Sequence, residues 1–289
     1  LTELYFKTVP EQGQNLDAFF TINTSPRLNF SIAYKGLRSL GNYQNALTST
    51  GHFRSTISYS TLSKRYQMNA HFVSQDLLNR ENGGLNDVAL EQYISGEEEF
   101  EDRSILEVKF ENAENVLYGK RFYLDHGVDL VRSKYGEIGI DHKLDFSDKK
   151  YIYRQTNPFS GFGESLKNTN LNDEVKLRNI ENVVSLNLQN NSLGELGVKG
   201  GHTYYNYGYN SVIFISDQVV SNRLRGQNFS AGATYLNNLG PFSLYGDAMV
   251  NLAGDFSGHY LTAGAEFRLN AENIVNVELN SNERAPNFN

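Results

Sequence analysis

The sequence predicts an all-β protein: a transmembrane, antiparallel, up-and-down β-barrel, with roughly fifteen strands of a larger barrel in this chain. Three observations carry that prediction. Apolar and polar residues alternate over segments about ten residues long, and a strand sends successive side chains to opposite faces. Short turns alternate with longer polar loops, as in barrels with short periplasmic turns and long extracellular loops. No run of about 18 apolar residues exists, so no helix is fit to cross a membrane, whereas a barrel strand needs apolar residues only at alternate positions.

Strand-like alternation starts at 1–9 and returns where Ala18, Phe20 and Ile22 oppose Phe19, Thr21 and Asn23. Ser25-Pro26-Arg27 supplies a turn, because proline presets a turn dihedral. Leu28, Phe30, Ile32 and Tyr34 then oppose Asn29, Ser31 and Lys35, and a polar loop follows at about 39–48. Phe53, Ser55, Ile57 and Tyr59 oppose Arg54, Thr56 and Ser58; beyond a short link, Tyr66, Met68, Ala70 and Phe72 oppose Gln67, Asn69 and His71. A long polar segment, 74–102, holds Gly83-Gly84 and ends in the acidic run 97–102.

Leu106, Val108 and Phe110 against Glu107, Lys109 and Glu111 read as a further strand, closed by an Asn-Ala-Glu-Asn turn at 112–115. Alternation weakens over 116–125, which predicts a bulge near Gly119. Ile138, Ile140 and Leu144 oppose Glu137, Asp141 and Lys143, with a short turn expected at 146–150 and a polar loop at 156–173. Val184, Leu186 and Leu188 oppose Ser185, Asn187 and Gln189; Leu196, Val198 and Gly200 oppose Gly197, Lys199 and Gly201. The clearest stretch is 228–280. There Leu244, Val250, Ala263, Phe267, Val275 and Val277 lie on one face, and Asp247, Glu266, Arg268 and Glu278 on the other. A second Asn-Ala-Glu-Asn at 270–273 separates its last two strands.

Composition bounds the function. Hydrophobic residues are 39% of 289, with 25 Gly but only 5 Pro, which suits many strands with few breaks. The net charge of -7 argues against a nucleic-acid partner. The absence of cysteine excludes disulfides and thiolate metal sites. No signal peptide stands at Leu1 and no closing strand is evident at Asn289, so 1–289 reads as one barrel domain incomplete at both ends.

The candidate pore-lining residues are Lys35, Arg54, Glu107, Lys109, Glu137, Asp141, Lys143, Lys199, Asp247, Glu266, Arg268 and Glu278. The candidate lipid-facing residues are Phe30, Ile32, Leu244, Val250, Ala263, Phe267, Val275 and Val277. Mixed charges lining water select solutes by size and field. The plainer reading is that they pair across neighbouring strands; both readings can hold together. The acidic run 97–102 fits no Ca²⁺ loop and reads as a solvated exterior. Tyr204, Tyr205, Tyr207 and Tyr209 read as an interfacial girdle, as do the aromatics near turns: Tyr59, Tyr66, Phe110, Tyr118, Phe146, Tyr151, Tyr235, Phe242 and Phe267. The six histidines are scattered without a metal-ligand spacing, so no metal, cofactor or catalytic residue is expected.

The segment 25–41, SPRLNFSIAYKGLRSLG, with 117–126, LYGKRFYLDH, and the tail 285–289, APNFN, resembles the putative porin family of Bacteroidota outer membranes. The resemblance covers the whole chain. It implies a large barrel in the outer membrane of a Gram-negative bacterium, with strands before Leu1 and after Asn289 and no catalytic residues. Passive diffusion of small hydrophilic solutes is the expected function. The alternative is a plugged barrel serving as a structural subunit of an outer-membrane secretion, adhesion or nutrient-uptake complex. Expected partners are outer-membrane lipid and other outer-membrane proteins or a second copy. A soluble, glycan-binding β protein is the weaker third reading, since sandwiches also alternate.

Overall fold

The computed structural model describes all residues except 10–11, 166, 216–217, 271 and 286–289, and omits the side chains of 9, 213 and 215. In chain order the strands are β1 (Thr2–Val9), β2 (Gly13–Ser25), β3 (Leu28–Ser39), β4 (Thr48–Ser60), β5 (Tyr66–Glu81), β6 (Ala113–Ser133), β7 (Gly136–Gln155), β8 (Leu171–Asn190), β9 (Gly194–Tyr209), β10 (Ile213–Ile215), β11 (Gln218–Val220), β12 (Arg223–Leu239), β13 (Phe242–Gly254), β14 (His259–Arg268) and β15 (Ile274–Glu283). Among the described residues one α-helix, α1 (Asp87–Ser95), lies between β5 and β6.

Thirteen of these strands form one antiparallel meander, each paired with its neighbour in sequence from β1 to β15, while β10 and β11 form a separate ribbon between β9 and β12. Strand-to-strand register fixes two faces. On one, Phe30 pairs Ile57, Ile140 pairs Leu186, Ala248 pairs Leu261 and Phe267 pairs Val275. On the other, Asp125 pairs Lys143, Thr234 pairs Asp247 and Gly264 pairs Glu278.

Side-chain reach shows which face is concave. Lys199 on β9 passes over Gly232 of β12 to reach Asp247 on β13 and Tyr260 on β14. Tyr245 on β13 passes over Gly264 of β14 to Glu278 on β15, at 2.8 Å. Side chains converge like this only inside a curve. Both glycines keep the crossing clear: a Cβ at Gly264 would lie 2.4 Å from the Tyr245 ring, and one at Gly232 would lie 3.0 Å from Lys199 Cε. Along the membrane band, no described residue covers the convex, apolar side, although Val116 and Ile152 near the long connections are buried. Val198 is 59% exposed, Val277 68% and Leu252 69%.

The convex apolar band has a clear upper edge. Along β7 it holds Ile138, Ile140, Leu144 and Phe146; two residues further, Lys120, Asp148 and Arg178 stand in register, with Arg178 Nε donating to Asp148 at 2.8 Å. Nine tilted residues cover roughly 23 Å, close to the apolar height of about 25 Å in membrane barrels. Above that edge β6 to β8 continue with charged residues on both faces.

Connections at the two ends differ as expected. One end has tight turns: Asn190 Oδ1 accepts from Ser192 and Leu193 N–H, and Asn270 Oδ1 from Glu272 and Asn273 N–H. The other end carries the connections 40–47, 82–112, 156–170 and 210–222.

Several expectations are corrected. Strand β5 continues to Glu81, so the long connection starts later than 74. The expected strand around 106–111 is absent, which takes Glu107 and Lys109 off the wall. Their backbones close the loop on itself: Asn86 N–H donates to Glu107 O at 3.1 Å and Lys109 N–H to Gly84 O at 2.9 Å. Leu106 is fully buried, so this short alternation faces the loop's own small core. The first Asn-Ala-Glu-Asn is not a turn, because Ala113 already pairs Glu81 and Gln155 at the start of β6. Residues 146–150 lie inside β7, and the bulge falls at Asp129/Val131 rather than Gly119. Both errors arise above the apolar band, where charges on the convex face break the alternation. The tail at 286–289 lies outside the described residues.

Candidate functional site

The concave face is the candidate site. Ten of the expected pore residues share it by register: Lys35, Arg54, Glu137, Asp141, Lys143, Lys199, Asp247, Glu266, Arg268 and Glu278. Glu107 and Lys109 remain apart in the 82–112 connection. The eight expected lipid-facing residues share the opposite, convex face: Phe30, Ile32, Leu244, Val250, Ala263, Phe267, Val275 and Val277.

Most of the concave charges pair. Lys35 lies 3.3 Å from Asp17 and Lys143 3.9 Å from Asp125. Arg132 holds both Asp129 and Glu137, the latter at 3.2 Å. Asn187 donates to Asp141, Lys199 to Asp247, and Arg268 lies 3.5 Å from Glu266. Arg121 forks onto Asp145, with Nε at 3.1 Å, a pair that the weak alternation of 116–125 concealed. Exposed pairs of this kind each contribute only about 0–1 kcal/mol. Their main effect is to cover the wall with fixed, alternating charge while cancelling most of the net field.

A cleft of about 600 Å³ lies apart from these pairs, on the concave face of β8, β9 and β12 to β15. Its side chains are mainly amides, hydroxyls and rings. The 255–258 connection is tied down beside it: Asn251 Nδ2 donates to Phe256 O at 3.1 Å, and Phe256 N–H donates to Asn228 Oδ1 at 3.0 Å. The tyrosine run is split by the strand period. Tyr204 faces the convex side, while Tyr205, Tyr207 and Tyr209 face inward, and Tyr205 is 3% exposed against Phe256 at 5.2 Å. The expected girdle of four is thereby corrected to one member.

Aromatic residues frame the convex band instead. Tyr59 and Tyr66 meet near one short turn and Phe242 stacks on Phe267 near another, at 4.3 Å. At the opposite edge Phe146 closes the top of the band, while Tyr118 lies above it under Lys150 and Tyr151 faces inward. Phe110 leaves the wall and packs on Phe159 and Phe162, joining the 82–112 and 156–170 connections at the long-loop end.

Two histidines that look scattered in sequence meet inside the convex band. Tyr66 Oη lies 3.3 Å from His126 Nδ1, His126 Nε2 lies 3.1 Å from His142 Nδ1, and His142 Nε2 lies 3.2 Å from Asn182 Oδ1. Register alone could have found this chain, because it depends on how β6, β7 and β8 align. The acidic run forms short helical turns. Within it Asp102 accepts from Ser104 Oγ at 2.7 Å and Ser104 N–H at 3.0 Å, which holds its carboxyl below the usual carboxylate range. Among the described residues no three His, Asp or Glu side chains are grouped to hold a metal ion.

A family model described as "Putative porin" matches residues 1–289. No curated protein matches in sequence. Among solved structures, the open form of the ferric-catecholate import receptor Fiu from E. coli K12 superposes with a TM-score of 0.60 at 10% identity, covering 95% of this chain and 53% of that chain. Its closed form gives 0.54 at 8% identity, covering 98% and 46%. The siderophore receptor PirA from Acinetobacter baumannii gives 0.57 at 10% identity, covering 93% and 41%. The chain spans about half the length of these structures. At such identities the likeness concerns the fold: the antiparallel wall of an outer-membrane β-barrel.

Proposed function

Because the chain belongs to the family described as "Putative porin", we propose that it forms part of the wall of an outer-membrane channel through which small hydrophilic solutes diffuse passively. Its convex face contacts outer-membrane lipid of a Gram-negative bacterium, and its concave face lines water. The observation that carries this reading is the segregation of the two faces across thirteen strands, with paired charges inside and uncovered apolar side chains outside. Lipid supplies no hydrogen bonds, so a spanning sheet is stable only when its edges are paired, which requires both β1 and β15 to be paired in the working barrel. The solute crosses unchanged, and no enzymatic step is assigned.

Single-channel recording in planar bilayers tests the reading. The full-length protein is expected to give stable conductance steps, and a folded, inserted protein that never conducts contradicts it. One observation favours a plugged, accessory subunit as a second reading. The 82–112 connection presents exposed Val88, Leu90 and Ile94 on α1 and meets the 156–170 connection through Phe110, Phe159 and Phe162. Purification in mild detergent distinguishes them: a stoichiometric partner with no conductance supports the subunit, and a conducting barrel without one supports the channel.

A further inference from the structure

The cleft beside Phe256 differs in chemistry from the ion-paired parts of the concave wall. From β6 to β8 the wall is covered mainly by ion pairs, and a smaller patch of amides and hydroxyls lies near the short turns of β2 to β5. In the cleft five asparagines line about 600 Å³ of space, of which Asn179, Asn228, Asn251 and Asn282 lie on the concave face by register. That volume falls within the range of about 300–1,000 Å³ typical of small-molecule sites. The charges nearby are few. Glu181 and Arg284 have opposite signs; His259 and Glu283 at the rim lie 3.3 Å apart; Lys199 at the base is held by Asp247 and Tyr260. With His259 neutral, Glu181 and Glu283 against Arg284 leave one negative charge at the cleft, which disfavours an anion.

We propose that this cleft is a subsite for a neutral, polyhydroxylated solute of one or two sugar rings. The inference rests on the channel reading for its setting, a water-filled lumen. A sugar ring presents an apolar C–H face and a rim of hydroxyls that each donate and accept. Half-buried Phe256 and exposed Tyr260 offer ring surface for the first. An amide both donates and accepts, so it satisfies a hydroxyl in either sense. Among the described residues the side chains of Asn179 and Asn282 have no protein partner, so their bonding capacity is available to a solute. Asn228 and Asn251 spend one atom each on holding the 255–258 connection, which fixes Phe256 before the solute arrives. A wall organised in advance avoids part of the ordering cost of binding.

The test is calorimetric titration of the full-length protein, refolded in detergent, with maltose and separately with gluconate. Maltose is expected to bind in preference to gluconate. Asn179→Ala and Asn282→Ala, which break no bond within the protein, are each expected to weaken maltose binding about five-fold, the worth of one neutral hydrogen bond. Absence of maltose binding, equal binding of gluconate, or unchanged affinity in both variants overturns the subsite. Conductance of the same preparation separates the two readings. A conducting barrel that ignores maltose loses the subsite and keeps the channel, while maltose binding without conductance does the reverse.

Discussion

At the scale of single residues, the polar chain on the convex face shows how hydrogen bonding decides what lipid will tolerate. Asn182 Oδ1 is an acceptor, so His142 Nε2 must donate to it. A neutral His142 then accepts at Nδ1 from His126 Nε2–H, and His126 Nδ1 accepts from the Tyr66 hydroxyl. This assignment, made from the bonding pattern, leaves neither imidazole with an unmade bond in hydrocarbon. His142→Leu strands the His126 N–H and Asn182 Oδ1, and is expected to cost about 1–3 kcal/mol. Adding His126→Leu should then cost less than it does alone, because its partner is already gone. Urea unfolding in lipid vesicles measures the cycle: a coupling of at least about 0.5 kcal/mol is expected, and strict additivity contradicts the chain. Nothing in the spacing of His126 and His142 announces this contact. They lie on adjacent strands of one hairpin, and only its register brings them opposite each other.

At the scale of elements, the membrane band explains which strands could be read and which could not. Strands β12 to β15 hold their apolar positions on one face from turn to turn, so 242–250, 259–268 and 274–279 are legible from alternation alone. Strands β6 to β8 extend well beyond the band. Their outer halves carry Lys120, Asp148, Arg178, Lys150 and Lys176 on the convex side, where water is on both faces and the period of two disappears. That is why 146–150 resembles a turn and 116–125 a bulge. The same reasoning predicts a sharp positional contrast on β7. Leu144→Lys places a charge inside the band and is expected to destabilise the inserted barrel by about 2–4 kcal/mol. Asp148→Asn, two positions later on the same face, breaks only a surface pair with Arg178 and should change stability by less than about 1 kcal/mol. Unfolding in vesicles compares them, and equal costs contradict the band's upper edge.

At the scale of the whole molecule, the wall is organised by two solvents. The apolar face was legible because lipid imposes a strict period on every strand it touches. The concave site was less so, because its partners lie one, two or three strands apart: Asp125 and Lys143 are neighbours across a hairpin, whereas Lys199, Asp247 and Tyr260 meet over 61 positions of sequence. The charge list was visible in the sequence, but its pairing and the amide-rich cleft were not. Cysteine is absent from the chain, so single cysteines can carry spin labels without background. The most direct test of the two-solvent account is a nitroxide scan of 243–250 on β13 in reconstituted vesicles, comparing collision with lipid-soluble oxygen against a water-soluble nickel chelate. Labels at 244, 246, 248 and 250 are expected to collide mainly with oxygen, and labels at 243, 245, 247 and 249 mainly with the chelate. The opposite alternation, or none, would contradict a barrel with its greasy face outward.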